Sequence, residues 1–440
     1  GGLSIAPMYA LAKGLFNRRV AVASAVLLAI NPSPVWYSQE VRSYALAILF
    51  SICSMAVFWR VLRGGRWPWW VAYALFSGLG FHLHYYIGWI VLAQNIVYLG
   101  HVWWEYRVEV VTSPPAPLRF GEGGCAQRTC TLGGDAPHQA ESRSPSLAIA
   151  GEGRGKGMGE IGLWRALGAW IVAQAAIVAL AFPAVVVFYT YLVERNQWIW
   201  LEARYTPPTL SSMLHLLNSY VMGMYIPGPA MLRRAALALY VGLAAWAAAH
   251  AFMSRSKEPE QVKSVLLLLA TLSMLALIWG LAQFFTLWVL RYLLIFLPFF
   301  LILAAAGWSA VRPPLLRGAL GVACVLAGLY ALSGIYHVPQ KEDWRGVAAY
   351  VRANAQTEDI IILLDEDCRV PFNYYYGEDG RRVKVSRFAD AAELERTVQE
   401  ILATRSGQHL WLVLSHTENM ELKDKLDGAA CLARQEAPAF

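Results

Sequence analysis

Charge is scarce in this chain, and the scarcity sets its class. Asp, Glu, Lys and Arg make up 15% of the 440 residues, where a soluble domain carries about a quarter. With 57% hydrophobic residues, 18 Trp and 21 Tyr, the composition is that of a membrane protein. Cysteine is sparse as well: the six (Cys53, Cys125, Cys130, Cys324, Cys368 and Cys431) are scattered. Their closest approach, Cys125-x4-Cys130, offers neither a disulfide framework nor a zinc spacing. No Walker motif, Gly-rich phosphate loop or nucleotide-binding βαβ unit precedes the apolar runs. Phosphate chemistry here is therefore expected on a lipid carrier, not on a free nucleotide. The chain opens on Gly1-Gly2 with no Met and no charged leader. That start predicts a fragment cut within a membrane segment rather than a signal peptide. The net charge of +7 is not a nucleic-acid signal, because most Lys and Arg lie in short links between apolar runs.

What is present is a series of apolar runs of bilayer length. About ten spans are predicted, near 1–16, 20–36, 44–62, 67–83, 86–103, 163–189, 234–253, 264–284, 291–309 and 315–336. Arg18-Arg19, the Arg60/Arg63/Arg66 link, Arg107, the Arg255/Lys257/Lys263 link and Arg312/Arg317 then fall on one side, predicted to be cytoplasmic. Arg233-Arg234 fall on the other side and dissent. Residues 112–160 break the pattern. They are rich in Gly and Pro and repeat Gly-Glu-Gly at 121–123 and 151–153. Such a segment buries too little apolar surface to offset its ordering entropy, so a disordered cytoplasmic insertion is predicted.

Residues 190–232 are predicted to be external and amphipathic. Thr209 is placed as N-cap, and Leu210, Met213, Leu214, Leu217 and Val221 follow at helical spacing. This helix is either a lid or a packing element. Residues 1–336 would thus form the membrane core. After Tyr336 the hydropathy changes: helix from Asp343, strand 359–365, strand 383–386, helix 390–404 and strand 410–415 are expected. Alternating helices and strands predict a small C-terminal α/β domain, 338–440, on the external side. The fold class is accordingly a polytopic α-helical membrane protein carrying a small α/β domain.

The stretch Asn31-Pro-Ser-Pro-Val-Trp-Tyr-Ser-Gln-Glu-Val-Arg-Ser-Tyr44 is unlike the runs on either side. It puts Glu40 and Arg42 at a membrane edge, where ionisable groups are costly and tend to mark substrate paths. A helix beginning near Val35 would align Tyr37, Glu40 and Tyr44 on one stripe, with Arg42 pointing elsewhere. The alternative is a solvated helix end with interfacial aromatics. His82 and His84 stand beside Tyr85 and Tyr86. Two histidines at i, i+2 make a weak case for a divalent metal, and hydrogen-bonded histidines are the expected state. Arg291, followed by Tyr292, opens the ninth span. It can snorkel to headgroups or fork onto a phosphate.

These residues carry a family resemblance. Residues 31–45 resemble the Tyr-Ser-Gln-Glu-x-Arg-x-Tyr segment of bacterial membrane glycosyltransferases of the protein-mannosyltransferase-like group, glycosyltransferase family 39, with GT-C architecture. His84-Tyr85-Tyr86 is similar to that family's His-Tyr-aromatic segment, and Arg291-Tyr-Leu-Leu-x-x-x-Pro298 to its Arg-Tyr-Leu-Leu segment, with Ile295 where proline is usual. Asp343-Trp-Arg-Gly346 resembles the opening of the family's external domain. The resemblance implies transfer of a hexosyl or pentosyl group from a polyprenyl-phosphate sugar to a protein, lipid or glycan acceptor. The setting would be the outer face of a bacterial cytoplasmic membrane, with no cofactor and no nucleic acid.

By residue matching, Glu40 would be a supporting carboxylate, and Arg42 and Arg291 would bind the donor phosphate. Tyr37, Gln39, Tyr44, His84, Tyr85 and Tyr292 would line the pocket. The family's principal Asp lies on a loop between its first two spans, which is expected to precede this chain, so the fragment as written is expected to be inactive. A polytopic transporter or flippase for a lipid-linked or small polar substrate would also place charges at span edges, and it stays open at this point.

Overall fold

Apolar runs in lipid must satisfy their own backbone hydrogen bonds, so they become helices. A computed structural model of the chain describes residues 1–40, 42–112, 160–194, 207–223, 229–253, 259–285, 287–337, 343–356, 359–363, 366–377 and 410–413. Two units are present, Gly1–Ile335 and Tyr336–Phe440.

In the first unit α1 (Ile5–Leu15), α2 (Arg18–Ala29), α3 (Pro32–Ser38), α4 (Tyr44–Leu62), α5 (Trp67–Leu83) and α6 (Ile87–Thr112) follow in close succession. They are joined by links of a few residues. The turn after α4 is made by Gly64 in the left-handed region, at φ 77°, a conformation open to glycine at little cost. After the undescribed 113–159 come α7 (Glu160–Glu194), α8 (Leu210–Met222), α9 (Ala230–Met253) and α10 (Pro259–Leu281). The unit closes with α11 (Leu290–Leu293), a 3-10 turn, α12 (Leu297–Ala310) and α13 (Pro314–His337). The predicted insertion lies almost wholly outside the described residues.

Among the described residues six helices are long and apolar enough to cross a membrane, or seven if the α2–α3 pair, bent by 53°, is one broken span. That is fewer than the ten crossings expected. The remaining expected spans are helices too, but α1 and α5, with 11 and 17 residues, are short for the purpose.

Burial separates the six. The 290–310 span is 83% buried, against 17% for α7 and 22% for α13, so it is the axis of the bundle and those two are its outer staves. Small residues allow the close approach. A Cβ at Gly307 would collide with the Leu243 carbonyl of α9, and one at Gly78 would come within 2.6 Å of Leu180 on α7. Buried side chains supply polar ties: Ser54 to Ser77 at 2.9 Å, and Gln94 Nε2 donating to Ser54 Oγ at 3.1 Å.

α8 starts where expected, after Thr209, whose N–H donates to Ser212 Oγ at 3.1 Å. Its buried face overlaps the expected stripe at Val221, with Met213 and Leu217 packed against the core, and departs from it elsewhere. Leu210 and Leu214 are exposed, while Leu216 and Tyr220 are fully buried. Hydrogen bonds turn the helix this way. Tyr220 donates its hydroxyl to the Leu293 carbonyl at 2.5 Å, and the Ser219 and Tyr220 carbonyls accept from Ser33 Oγ (2.9 Å) and Asn31 Nδ2 (2.6 Å).

The second unit has α14 (Trp344–Asn354), β1 (Ile360–Leu363), α15 (Glu366–Tyr376) and β2 (Leu410–Val413). β1 and β2 are parallel, with Ile360 opposite Leu410. Asp343 caps α14 by accepting from the Gly346 N–H at 2.9 Å. Ala348, Val351, Ile361, Leu363, Phe372 and Val413 form its core. α15 was not expected. The expected strand 383–386 and helix 390–404 lie outside the described residues.

Candidate functional site

The unusual 31–44 stretch folds as a break. Asn31 Oδ1 accepts the Ser33 N–H at 3.0 Å, and Pro32 takes the first turn of α3, where its missing N–H costs nothing. The helix stops after Ser38, with the Gln39 N–H tightened onto the Trp36 carbonyl at 3.1 Å. α4 restarts at Tyr44. The single stripe expected for Tyr37, Glu40 and Tyr44 is therefore corrected. Glu40 sits in the irregular link, half-buried, between an exposed Gln39 and an exposed Arg42. Tyr37 and Tyr44 still meet, edge to face, with ring centroids 5.1 Å apart.

A second break faces them. α5 ends at Leu83, and His84 adopts extended backbone (φ −163°, ψ 123°) with its N–H on the Gly80 carbonyl. This buries the imidazole, whose Nδ1 accepts the Tyr86 N–H at 3.2 Å. The Tyr86 hydroxyl in turn donates to the Leu287 carbonyl, tying the break to the segment before α11. Burial first, and then the Arg291 charge, lowers the His84 pKa to about 4. With Nδ1 occupied as acceptor, the neutral ring carries its proton on Nε2. His84 at neutral pH is thus an uncharged donor. Burial pushes the neighbouring Tyr85 phenol well above its ordinary value.

α11 brings in the last two groups. Tyr292 lies 4.5 Å from His84, 5.4 Å from Tyr86 and 6.0 Å from both Tyr44 and Tyr85, centroid to centroid. The Arg291 guanidinium stands 5.5 Å over the Tyr292 ring. The Arg291 and Arg42 guanidinium groups both stand within electrostatic reach of the Tyr44 phenol. Neither arginine pairs with a carboxylate among the described residues. A cleft of about 700 Å³ opens here, lined by Arg42, Tyr44, His82, His84, Tyr85 and Tyr292 on one side. Its other wall is apolar, from Pro183 to Phe188 of α7.

Of the expected site residues, Arg42, Tyr44, His84, Tyr85 and Tyr292 line the cleft, while Arg291 and Tyr37 adjoin Tyr292 and Tyr44 outside its lining. Gln39 and Glu40 are near in sequence but do not line the cleft. The α7 wall was missed; its signal was Pro183 inside a 35-residue helix. His82 and His84 both line the cleft, but the His82 Nε2 lies 2.7 Å from the Leu180 carbonyl. Among the described residues no three His, Cys, Asp or Glu side chains gather as a metal site would need.

Residues 1–111 match the family model described as dolichyl-phosphate-mannose-protein mannosyltransferase. The matched part is about a quarter of the chain and contains both breaks of the cleft. Among solved structures it is similar to the apo form of the oligosaccharyltransferase of Archaeoglobus fulgidus, at 13% identity and a TM-score of 0.41. That likeness covers 86% of this chain and 52% of the other, so the chain spans about half its length. No curated protein matches.

Proposed function

We propose that the protein transfers a hexosyl or pentosyl group from a polyprenyl-phosphate donor to an acceptor on the outer face of the bacterial cytoplasmic membrane. The observation that carries the reading is the pair of guanidinium groups, Arg42 and Arg291, converging on Tyr44 without a carboxylate partner among the described residues. Guanidinium forks match phosphate oxygens, and a desolvated one stabilises the charge that grows on a departing lipid phosphate. Tyr44, Tyr85 and Tyr292 offer ring faces to the sugar, and neutral His84 offers a hydrogen-bond donor. Glu40, at the rim of the break, is a supporting carboxylate rather than the principal base. The acceptor is a protein, a lipid or a glycan, and its hydroxyl proton requires a positioned carboxylate.

The same reading takes ten crossings as the full count for residues 1–336. It puts 112–160 in the cytoplasm, and 190–232 together with an α/β domain at 338–440 outside. Impermeant thiol reagents applied to intact cells carrying single-cysteine variants should label Cys368 and spare Cys125. The reverse pattern would invert the orientation and end the proposal. The direct test is binding of a polyprenyl-phosphate sugar to the reconstituted chain, read alongside transfer and donor hydrolysis. Binding that ignores the phosphate would remove the role given to Arg42 and Arg291.

A further inference from the structure

The bundle has cavities at its other end as well. α12 is 14 residues long, so its ends stand about 21 Å apart. Tyr292 lies just before its start and Arg312 just past its finish. At that far end a groove of about 790 Å³ runs between Val22 and Val26 of α2, Leu243 of α9, Trp308 of α12, and Val322 and Leu326 of α13. Its lining is almost wholly aliphatic. A second hollow of about 560 Å³ adjoins it, lined by Asn17, His250, Gln261, Ser309 and Arg312. The two share Arg18 and Arg19.

Some of the polar groups there are already occupied. Asn17 Oδ1 accepts the Val20 N–H at 3.1 Å, and Trp308 Nε1 donates to the Arg317 carbonyl at 2.8 Å. Glu260, next to Gln261, pairs with Lys263 at 3.2 Å. The three guanidinium groups have no carboxylate among the described residues. Two cations at the mouth of an aliphatic trough, with a third in the hollow that adjoins it, complement one kind of molecule in a membrane bundle: a negatively charged phosphate joined to a hydrocarbon chain.

We propose that this is a binding site for an anionic phospholipid, its phosphate held by Arg18, Arg19 and Arg312 and one acyl chain laid in the groove. α13 is built for it. A Cβ at Gly318, on the groove wall, would meet nothing within 4 Å. The space beside it is therefore open to a chain, and a leucine there would fill that space without moving backbone. The site stands apart from the tyrosine cleft and does not depend on how that cleft is used.

The test uses the 440-residue chain in detergent, titrated with phosphatidylglycerol, phosphatidylcholine or inorganic phosphate, and read by lipid retention in native mass spectra and by unfolding temperature. Phosphatidylglycerol should be retained and should raise the unfolding temperature, and phosphatidylcholine should do neither. Each arginine near a phosphate is worth about five-fold, so R18Q/R19Q/R312Q should weaken phosphatidylglycerol on the order of 100-fold. Gly318→Leu should lower its retention with all three arginines in place. Should the triple variant fail to fold, Arg312→Gln, outside any helix and exposed, carries the test with about a five-fold loss. Equal response to both lipids, wild-type titration of the arginine variants, or an unchanged Gly318→Leu would overturn the proposal. A shift by inorganic phosphate as large as that by phosphatidylglycerol would do so too, reducing the site to a soluble-anion pocket.

Discussion

The two ends of the bundle use the same charge chemistry in different company. Arg42 and Arg291 are set among Tyr44, His84, Tyr85 and Tyr292, side chains with flat faces and polar edges. Arg18 and Arg19, which share a hollow with Arg312, adjoin Val22, Val26, Val322 and Leu326, which offer neither. A guanidinium selects for phosphate in both places, but what it selects the phosphate with depends on the neighbours. Rings with hydroxyls suit a polar, ring-shaped group, whereas an aliphatic trough suits a chain. The helices explain the split. The cleft is made where α3 and α5 break and free side chains to converge, while the groove lies between unbroken helices whose small residues leave space.

The largest expected effect separates the ends directly. Arg291→Ala should weaken polyprenyl-phosphate sugar binding tens-fold, since a charge-assisted contact is worth on the order of 2 kcal/mol. Arg312→Ala should leave that binding within two-fold (about 0.4 kcal/mol). Arg291→Lys keeps the charge and loses the fork, so its loss should fall between. Calorimetry with the same donor on all three variants checks this. Equal losses at both ends would erase the distinction and make Arg291 a headgroup anchor.

A pH titration sharpens the comparison next, because among the described residues only the cleft end holds a buried histidine, packed among Tyr44, Tyr85, Tyr86 and Tyr292 under the charge of Arg291. Folded His84 has its pKa lowered from 6.5 to about 4. The unfolded chain therefore binds the proton first as the medium turns acid. Its contribution is fully present above pH 6.5 and is lost as pH falls toward 4, with a slope of up to about 1.4 kcal/mol per pH unit. His84→Gln should flatten that part of the profile measured by denaturant unfolding. A slope unchanged by the substitution would mean that the imidazole is solvated.

How much of this could be read from the residues follows from what each signal measures. Apolar runs report burial and helix period, so the predicted spans fall on helical segments, 20–36 on the bent pair α2–α3, and Thr209 announced its cap. Crossing number was harder, because α1 and α5 are apolar yet short and their neighbours help decide whether they span. Arg42, Tyr44, His84 and Arg291 were legible as rare groups at span edges. The halt after Ser38 was not, since no proline or glycine lies between Tyr37 and Tyr44 to mark it. α8 turned its Tyr220 face inward because of hydrogen bonds to Leu293 and Ser33, partners too distant in sequence for any periodicity to show.

Tyr220 gives the third expectation, a smaller one. Tyr220→Phe removes the hydroxyl from a fully buried site and leaves the Leu293 carbonyl short of a donor. A loss of about 1 kcal/mol in unfolding free energy is expected, with donor binding weakened because α11 carries Arg291. The lipid response at Arg18, Arg19 and Arg312 should not change. Loss of that response together with donor binding would show the two ends to be coupled.

The smallest expected effect on stability is at Glu40, and it bears on how the cleft is read. Its half-buried carboxylate has no ion pair among the described residues, and the link around it is irregular. Glu40→Gln keeps size and most hydrogen bonding, so unfolding free energy should move by no more than about 0.5 kcal/mol. Turnover, measured in the full-length protein, is the informative reading, because charge is all that the change removes. A supporting carboxylate acts through the field it places on the cleft and on Arg42, two residues away. Its loss should lower transfer by a few-fold to about tenfold with donor binding nearly intact. A fall of 10²–10⁴-fold, the range of general-base catalysis, would instead make Glu40 the group that takes the acceptor proton. Wild-type transfer would return it to a solvated helix end, and the cleft would then have to draw its carboxylate from elsewhere.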